Sequence, residues 1–142
     1  MPFIDNVHHV EYRIYYEDTD AGGIVYHANY LNFAERARTD ALRELGINQT
    51  EFREETGCIF VVRHADIEYK ASALLDDLVT VTTEITHIGN SSMKALQIVW
   101  RGETELARML IQIVCVGANK KAVRIPQDIV ACLRNHMMKE SL

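Results

Sequence analysis

From Ile59 onward the chain carries four successive runs of β-favouring residues, Ile59–Tyr69, Leu78–Ile88, Ser92–Arg101 and Glu105–Gly117. The joints Leu75-Asp76-Asp77, Gly89-Asn90-Ser91 and Gly102-Glu103 are short and turn-like. Parallel neighbours need crossovers of about a dozen residues or more, so short joints favour an antiparallel sheet. Two runs alternate clearly: Val79, Val81 and Ile85 oppose Thr80, Thr82 and Glu84, and Ala107, Met109, Ile111, Ile113 and Cys115 form one apolar face. A sheet with one apolar face must be covered by something.

The cover is encoded upstream. Asn29 is a plausible N-cap for a helix that stops at Gly46, with Arg43 placed in the last turn to suit the helix dipole. On a 3.6-residue wheel Tyr30, Phe33, Ala34, Ala37, Ala41 and Leu45 share a stripe, and its three alanines allow close approach. Asn48 with Glu51 resembles a capping box for a short second helix ended by Gly57. Val7–Tyr16 reads as a first strand, and Pro126 as the first residue of a final helix through Met138 with Ile129, Leu133 and Met137 on one face. The expected architecture is α+β, with a five-stranded antiparallel sheet wrapped around one long central helix.

At 142 residues and 48% hydrophobic composition, residues 1–142 fit a single domain with a substantial core. No apolar run reaches the ~18 residues of a membrane span. Met1–Asn6 lacks the basic and apolar regions of a signal peptide, so no membrane insertion and a cytoplasmic location are expected. Cys58, Cys115 and Cys132 are odd in number and lack C-x-x-C spacing, which disfavours disulfides and thiolate zinc. A net charge of -5 without a basic stripe argues against nucleic acid as a partner.

Between the first strand and the long helix lies Y-Y-E-D-T-D-A-G-G-I-V-Y-H-A-N-Y, Tyr15–Tyr30, with three acids, a glycine pair and His27. Such a segment sets a carboxylate beside free backbone N–H groups, a pairing suited to polarising and attacking a carbonyl. Asp18-Thr19-Asp20 matches the D-x-D of aspartyl-phosphate phosphohydrolases, but the strand and helix alternation of a doubly wound sheet is missing. An EF-hand opened by Asp18 would need a glutamate where Asn29 stands. The histidines form no i, i+4 ligand set with acids, and no metal is expected. Acids and glycines before a helix also serve as ordinary turn formers and dipole partners.

The string Tyr15–Arg38, Y-Y-E-D-T-D-A-G-G-I-V-Y-H-A-N-Y-L-N-F-A-E-R-A-R, resembles the signature of the 4-hydroxybenzoyl-CoA thioesterase family of the hotdog superfamily. It is most similar to the bacterial acyl-CoA thioesterases associated with the tol-pal gene cluster. F-V-V-R at Phe60–Arg63, I-E-Y-K-A-S-A-L-L-D-D at Ile67–Asp77, the strand end at Val114-Cys115-Val116 and Ile125-Pro126 extend the likeness over residues 8 to 132. The resemblance implies the hotdog fold and hydrolysis of acyl thioesters to free acid and CoA. It places the catalytic carboxylate on Asp20, the carbonyl-polarising N–H on Gly23, Ile24 or Val25 at the start of the helical segment, and an assisting role on His27. Tyr16 is assigned to loop shaping and substrate contact, and Asn90 and Ser91, at a turn the family places near the pocket, to ligand contact.

No cofactor is implied, because the CoA thioester is itself the substrate. Acyl carrier protein is an alternative thiol carrier. Arg63, Lys70, Lys94, Arg101, Lys120, Lys121 and Arg124 are the available cations for CoA phosphates. The resemblance also implies a homo-oligomer, at least a dimer and by likeness a tetramer, with sheets paired edge to edge. Asp20 has two routes, direct attack to a mixed anhydride or deprotonation of the attacking water. Two other functions fit the same residues: a hotdog hydratase or dehydratase using Asp20 and His27 as an acid/base pair, and a non-catalytic acyl-thioester-binding scaffold linked to the cell envelope.

Overall fold

A computed structural model describes residues 2–139 of the chain. The elements in order are β1 (Phe3–Ile4), β2 (Val7–Arg13), a 3-10 turn (Tyr16–Asp18), α1 (Asn29–Glu44), α2 (Gln49–Thr56), β3 (Ile59–Tyr69), β4 (Leu78–Ile88), β5 (Ser92–Arg101), β6 (Thr104–Val116) and α3 (Gln127–Met137). All strands join one antiparallel sheet in the order β1-β2-β4-β5-β6-β3.

The four strand patterns after Ile59 fall where the alternation put them, within a residue at each end. Six strands stand where five were expected, because Phe3–Ile4 folds back on Val7–His8 through Asp5 and Asn6, both at positive φ (53° and 61°). Two consecutive left-handed residues are what a tight two-residue hairpin requires, and Asp and Asn accept that conformation more readily than most. The first long strand ends at Arg13 and not at Tyr16. Asp18 Oδ2 accepts the Tyr15 N–H at 2.9 Å and starts the 3-10 turn, diverting the backbone from the sheet.

The alanine stripe does what its small side chains allow. Ala34, Ala37 and Ala41 are fully buried, and α1 packs against β2 and β4 with Tyr30 and Phe33 beside them. Burial of a side chain such as Phe33 contributes about 2–3 kcal/mol. Leu45, expected in the stripe, is only half-buried, since it lies beyond the last helical residue. Asn29 is not the N-cap: Ala28 holds that position without a side-chain bond. Asn29 is the first helical residue, and its Nδ2 donates to the Asp18 carbonyl at 2.8 Å, tying the helix start to the acidic loop.

Asn48 caps α2, its Oδ1 accepting the N–H groups of Thr50 and Glu51, and Gly57 ends that helix at φ 73°. Pro126 stands at the N-cap of α3 without a side-chain bond, one residue before the helix it was expected to open, Met138 lies one residue past its end, and Ile129, Leu133 and Met137 are buried. A polar network lies in the core. Gln97 is fully buried, its Nε2 donates to the Ala34 carbonyl and to Thr83 Oγ1 (both 2.9 Å), and its Oε1 accepts from Arg38 Nη1 at 2.8 Å. Buried amides need all their partners, and this one has them.

β3 closes the sheet at one side. Its outer edge has no strand partner among the described residues, and Ile59, Val61, Val62 and Tyr69 are exposed along it. No helix among the described residues is long and apolar enough to cross a membrane.

Candidate active site

The acidic loop is built by its own short-range bonds. The Asp20 carbonyl accepts the Gly23 N–H at 3.0 Å, and the Asp20 N–H donates to the Ile24 carbonyl at 2.9 Å, so residues 20–24 form a tight reversal. Gly23 stands at φ 80°, a left-handed conformation that an L side chain adopts with strain. Asp20 Oδ1 accepts the Gly22 N–H at 2.8 Å, and a Cβ on Gly22 would lie 3.2 Å from that same oxygen. The glycine pair thus serves two separate needs: room for a carboxylate and freedom of φ.

Longer bonds fasten this turn to the body. The Val25 N–H donates to the Ala73 carbonyl at 2.9 Å, Ile24 bridges to Leu74, and the buried Val25 side chain joins the core. The segment after β3 is held in turn by Asp77, whose Oδ2 accepts the Leu74 N–H at 2.8 Å and Arg101 Nη1 at 2.9 Å. The Leu74 N–H, reinforced by Arg101, holds the Asp77 carboxyl below the usual carboxylate range.

Between the turn, the start of α1 and the end of β3 lies a hollow of about 270 Å³. Asp20, Ile24, Val25 and His27 line it from the loop, Tyr30 from α1, and Tyr69, Lys70, Ala71 and Ser72 from the far side. Asp20 and His27 are solvent-exposed, as a site open to substrate must be. Tyr69 Oη donates to the His27 carbonyl at 3.0 Å, and the His27 ring sits 4.4 Å from Tyr26 and 6.3 Å from Tyr69, centroid to centroid. Tyr30 Oη accepts the Ala73 N–H at 3.0 Å, and burial pushes that phenol up, so it stays neutral. Lys70 is paired with Glu105, whose carboxyl the Arg108 and Lys70 bonds hold down at about 2.

Of the three backbone N–H groups expected to polarise a carbonyl, two are engaged: Gly23 donates to Asp20 and Val25 to Ala73. Ile24 N–H has no acceptor among the described residues. These residues precede the helix, which starts only at Asn29, so their position at a helix entrance is corrected by several residues. The N–H groups of His27 and Ala28, at the true entrance, also lack acceptors among the described residues.

Tyr16 lies in the 3-10 turn, 83% exposed as a residue, and does not line the hollow. Asn90 and Ser91 are not brought to it either. They follow β4 at the end remote from Asp77, and their carbonyls hold Ile125 and Cys115 through N–H bonds of 2.9 and 2.8 Å. A strand of that length spans on the order of 35 Å, which separates that turn from the hollow of the same chain. On the far wall, Tyr69, Ala71 and Ser72 carry no functional assignment from sequence, and Lys70 only that of a candidate cation; the signal was the Tyr69-Lys70 pair closing a strand, inside a segment otherwise read as strand and turn. Of the candidate cations only Lys70 lines the hollow. No cluster of metal-binding side chains occurs among the described residues.

The sequence pattern of the thioesterase superfamily matches residues 22–108, more than half the chain. The acyl-CoA thioesterase YbgC of Haemophilus influenzae is 40% identical over 133 residues, covering 93% of this chain and 98% of the relative. The crystal structure of a probable thioesterase from Bartonella henselae superposes with a TM-score of 0.81 at 35% identity, covering 84% of this chain and 99% of that one. A 4-hydroxybenzoyl CoA thioesterase structure reaches a TM-score of 0.83 at 19% identity over 90% of this chain and 99% of its own, a likeness of fold. With an antiparallel sheet laid on a long central helix and relatives matched nearly end to end, the chain belongs to the thioesterase superfamily, in its hotdog fold.

Proposed function

We propose that this chain hydrolyses acyl-CoA thioesters with Asp20 as the reactive carboxylate. It is a thioester hydrolase, and the observation that carries the catalytic reading is the meeting of Asp20, His27 and unpaired backbone N–H groups at one hollow. Negative charge grows on the thioester oxygen as the carbonyl carbon becomes tetrahedral. N–H groups fixed in advance stabilise that charge without reorganising, and one such donor is typically worth about 3 kcal/mol. The free N–H groups of Ile24 and of His27, the latter nearer the positive end of α1, are the donors available.

Asp20 either attacks the carbonyl carbon, giving a mixed anhydride that water then opens, or removes a proton from the attacking water. In both routes the carbon–sulfur bond breaks and the thiol leaves as thiolate, a far better leaving group than an amine or alkoxide. His27 orients the water or the carboxylate and supports the departing sulfur. No cofactor or metal takes part. Tyr69 positions the loop through the His27 carbonyl, and Lys70, in the wall of the hollow and paired with Glu105, is the cation offered to a CoA phosphate.

The working unit is a homo-oligomer, at least a dimer and by likeness a tetramer, formed by one cytoplasmic domain spanning residues 1–142. Support comes from β3, a strand of 11 residues with an open edge and exposed valines that pairing with a second copy would cover. Acyl carrier protein is a second carrier the same chemistry would accept. The test is thiol release from a panel of saturated acyl-CoA and acyl-carrier thioesters, with the product identified by mass. Free acid without added hydroxyl or new double bond is expected. A purified protein inert across the panel would overturn the assignment, and a monomeric mass in solution would overturn the assembly.

A further inference from the structure

Pairing of β3 with β6 brings together two cysteines that lie far apart in sequence. Phe60 stands opposite Cys115 in the register, so Cys58, two residues before Phe60, is the diagonal neighbour of Cys115. Both side chains belong to one packed cluster, Cys115 fully buried within it and Cys58 partly buried against it. Burial, then the field of Cys58 and a side-chain contact with it, push the Cys115 thiol up to about 11. Cys132 sits apart on α3, and its thiol is raised by burial and by Asp128, with no contribution from the other two.

The backbones around the paired thiols differ in freedom. Cys115 is held inside the ladder: its N–H donates to the Ser91 carbonyl at 2.8 Å, and its carbonyl accepts the Val123 N–H at 2.9 Å. Cys58 lies outside every strand, between Gly57 at φ 73° and the first residue of β3. Its N–H donates to Thr56 Oγ1 at 3.1 Å and its Sγ–H to the Thr56 carbonyl at 3.6 Å. A disulfide needs Cβ atoms about 4 Å apart, closer than regular diagonal neighbours, which stand up to about 7 Å apart. Two thiols locked in a ladder would not close that gap, whereas a joint that begins at a glycine can swing one of them inward.

We propose that Cys58 and Cys115 form a reversible redox pair, joining under oxidation into a disulfide that staples the α2–β3 joint to the end of β6. The partly exposed Cys58 reacts first. Its thiolate attacks one sulfur of a small-molecule disulfide, the S–S bond of the oxidant breaks, and one thiolate leaves and takes up a proton. The Cys115 thiol then gives up its proton as its sulfur attacks Sγ of Cys58; the mixed disulfide breaks, and the second small thiol leaves with that proton. Two protein thiols are oxidised, and one disulfide is reduced to two thiols. Because burial keeps Cys115 protonated, the second exchange is the slow one. The pair lies where β3 begins and the hollow at Asp20 where β3 ends at Tyr69, so it is independent of the chemistry assigned to Asp20.

The experiment incubates the full folded chain with oxidised glutathione, blocks the remaining thiols with N-ethylmaleimide, and measures mass intact and after digestion. The expected product is a single covalent chain lacking two hydrogens, with one blocked thiol out of three, a linked peptide pair containing Cys58 and Cys115, and Cys132 free. Dithiothreitol should restore all three thiols. The cross-linked form should melt higher than the reduced one, because the long closed loop restricts the unfolded chain. A Cys132→Ser chain should form the same bond, and Cys115→Ser should stop with one glutathione on Cys58. A wild type that stops with glutathione on Cys58, links Cys58 to Cys132 or to a second copy, or keeps all three thiols free would overturn the proposal, even if Cys115→Ser fails to fold.

Discussion

Replacing Asp20 by Asn separates the chemistry of this residue from its architecture. Asn keeps an Oδ1 to accept the Gly22 N–H at 2.8 Å, and the backbone bonds of Asp20 to Gly23 and Ile24 are untouched. The turn should therefore persist, with unfolding free energy altered by less than about 1 kcal/mol. What the variant loses is the negative charge and with it both catalytic routes. General-base catalysis by a placed side chain is worth about 10²–10⁴-fold, so kcat/KM should fall by that factor, about 3–5 kcal/mol of transition-state stabilisation. Thiol release from a short acyl-CoA, followed by a chromogenic disulfide, measures the rate, and a urea titration measures the fold. Asp20→Ala is the control, losing the acceptor as well and costing about 1 kcal/mol more stability. A folded Asp20→Asn enzyme that keeps more than about a tenth of wild-type kcat/KM would refute the assignment.

Three further outcomes follow from the same contacts. Gly22→Ala should lower kcat/KM more than it lowers stability, because its Cβ would press on Asp20 Oδ1 at 3.2 Å; steady-state kinetics beside a melting curve show the split. Gln97→Leu removes the acceptor of half-buried Arg38 and both donors to Ala34 and Thr83, and by leaving those groups without their partner should cost about 1–3 kcal/mol in chemical denaturation. Glu105 is held at about 2 against its ordinary 4.5, so its pairing with Arg108 and Lys70 stabilises the fold fully above pH 4.5 and is lost as pH falls toward 2. The melting-temperature gap between wild type and Glu105→Gln should accordingly be present at pH 6 and close between pH 4.5 and about 2.

The sheet and the main helix were legible because each writes a period into the sequence: two for Ala107 to Cys115, near 3.6 for Tyr30 to Ala41, and both faces are buried in the structure. What escaped was set by contacts the period does not carry. Phe3–Ile4 is too short for any alternation, and its place depends on Asp5 and Asn6 turning left-handed. Asn29 looked like a cap, as Asn often is, but the nearby Asp18 carbonyl drew its side chain into a tertiary bond and left Ala28 at the cap position. That Asn90 and Ser91 stand apart from the hollow at Asp20 of the same chain was not legible for a related reason: which end of a strand a turn occupies depends on the whole sheet order, not on local composition.

The two halves of the site differ in the same way, and the difference bears on function. Asp20 is fixed by bonds within five residues, Gly22 through Ile24, so a short motif is enough to specify it. Its opposite wall, Tyr69–Ser72, arrives only because Val25 and Ile24 hook onto Ala73 and Leu74, some fifty residues away in sequence, and because Asp77 holds that segment in shape. The proposed reactive carboxylate and the wall that faces it across the hollow are thus supported by separate sets of contacts. Changes at Lys70, Ala71 or Ser72 can reshape the hollow without moving the carboxylate, whereas changes at Gly22 or Gly23 act on the carboxylate first. A reaction held by local geometry and a specificity held by long-range packing can vary independently, which is the physical basis on which one such loop can serve different acyl groups.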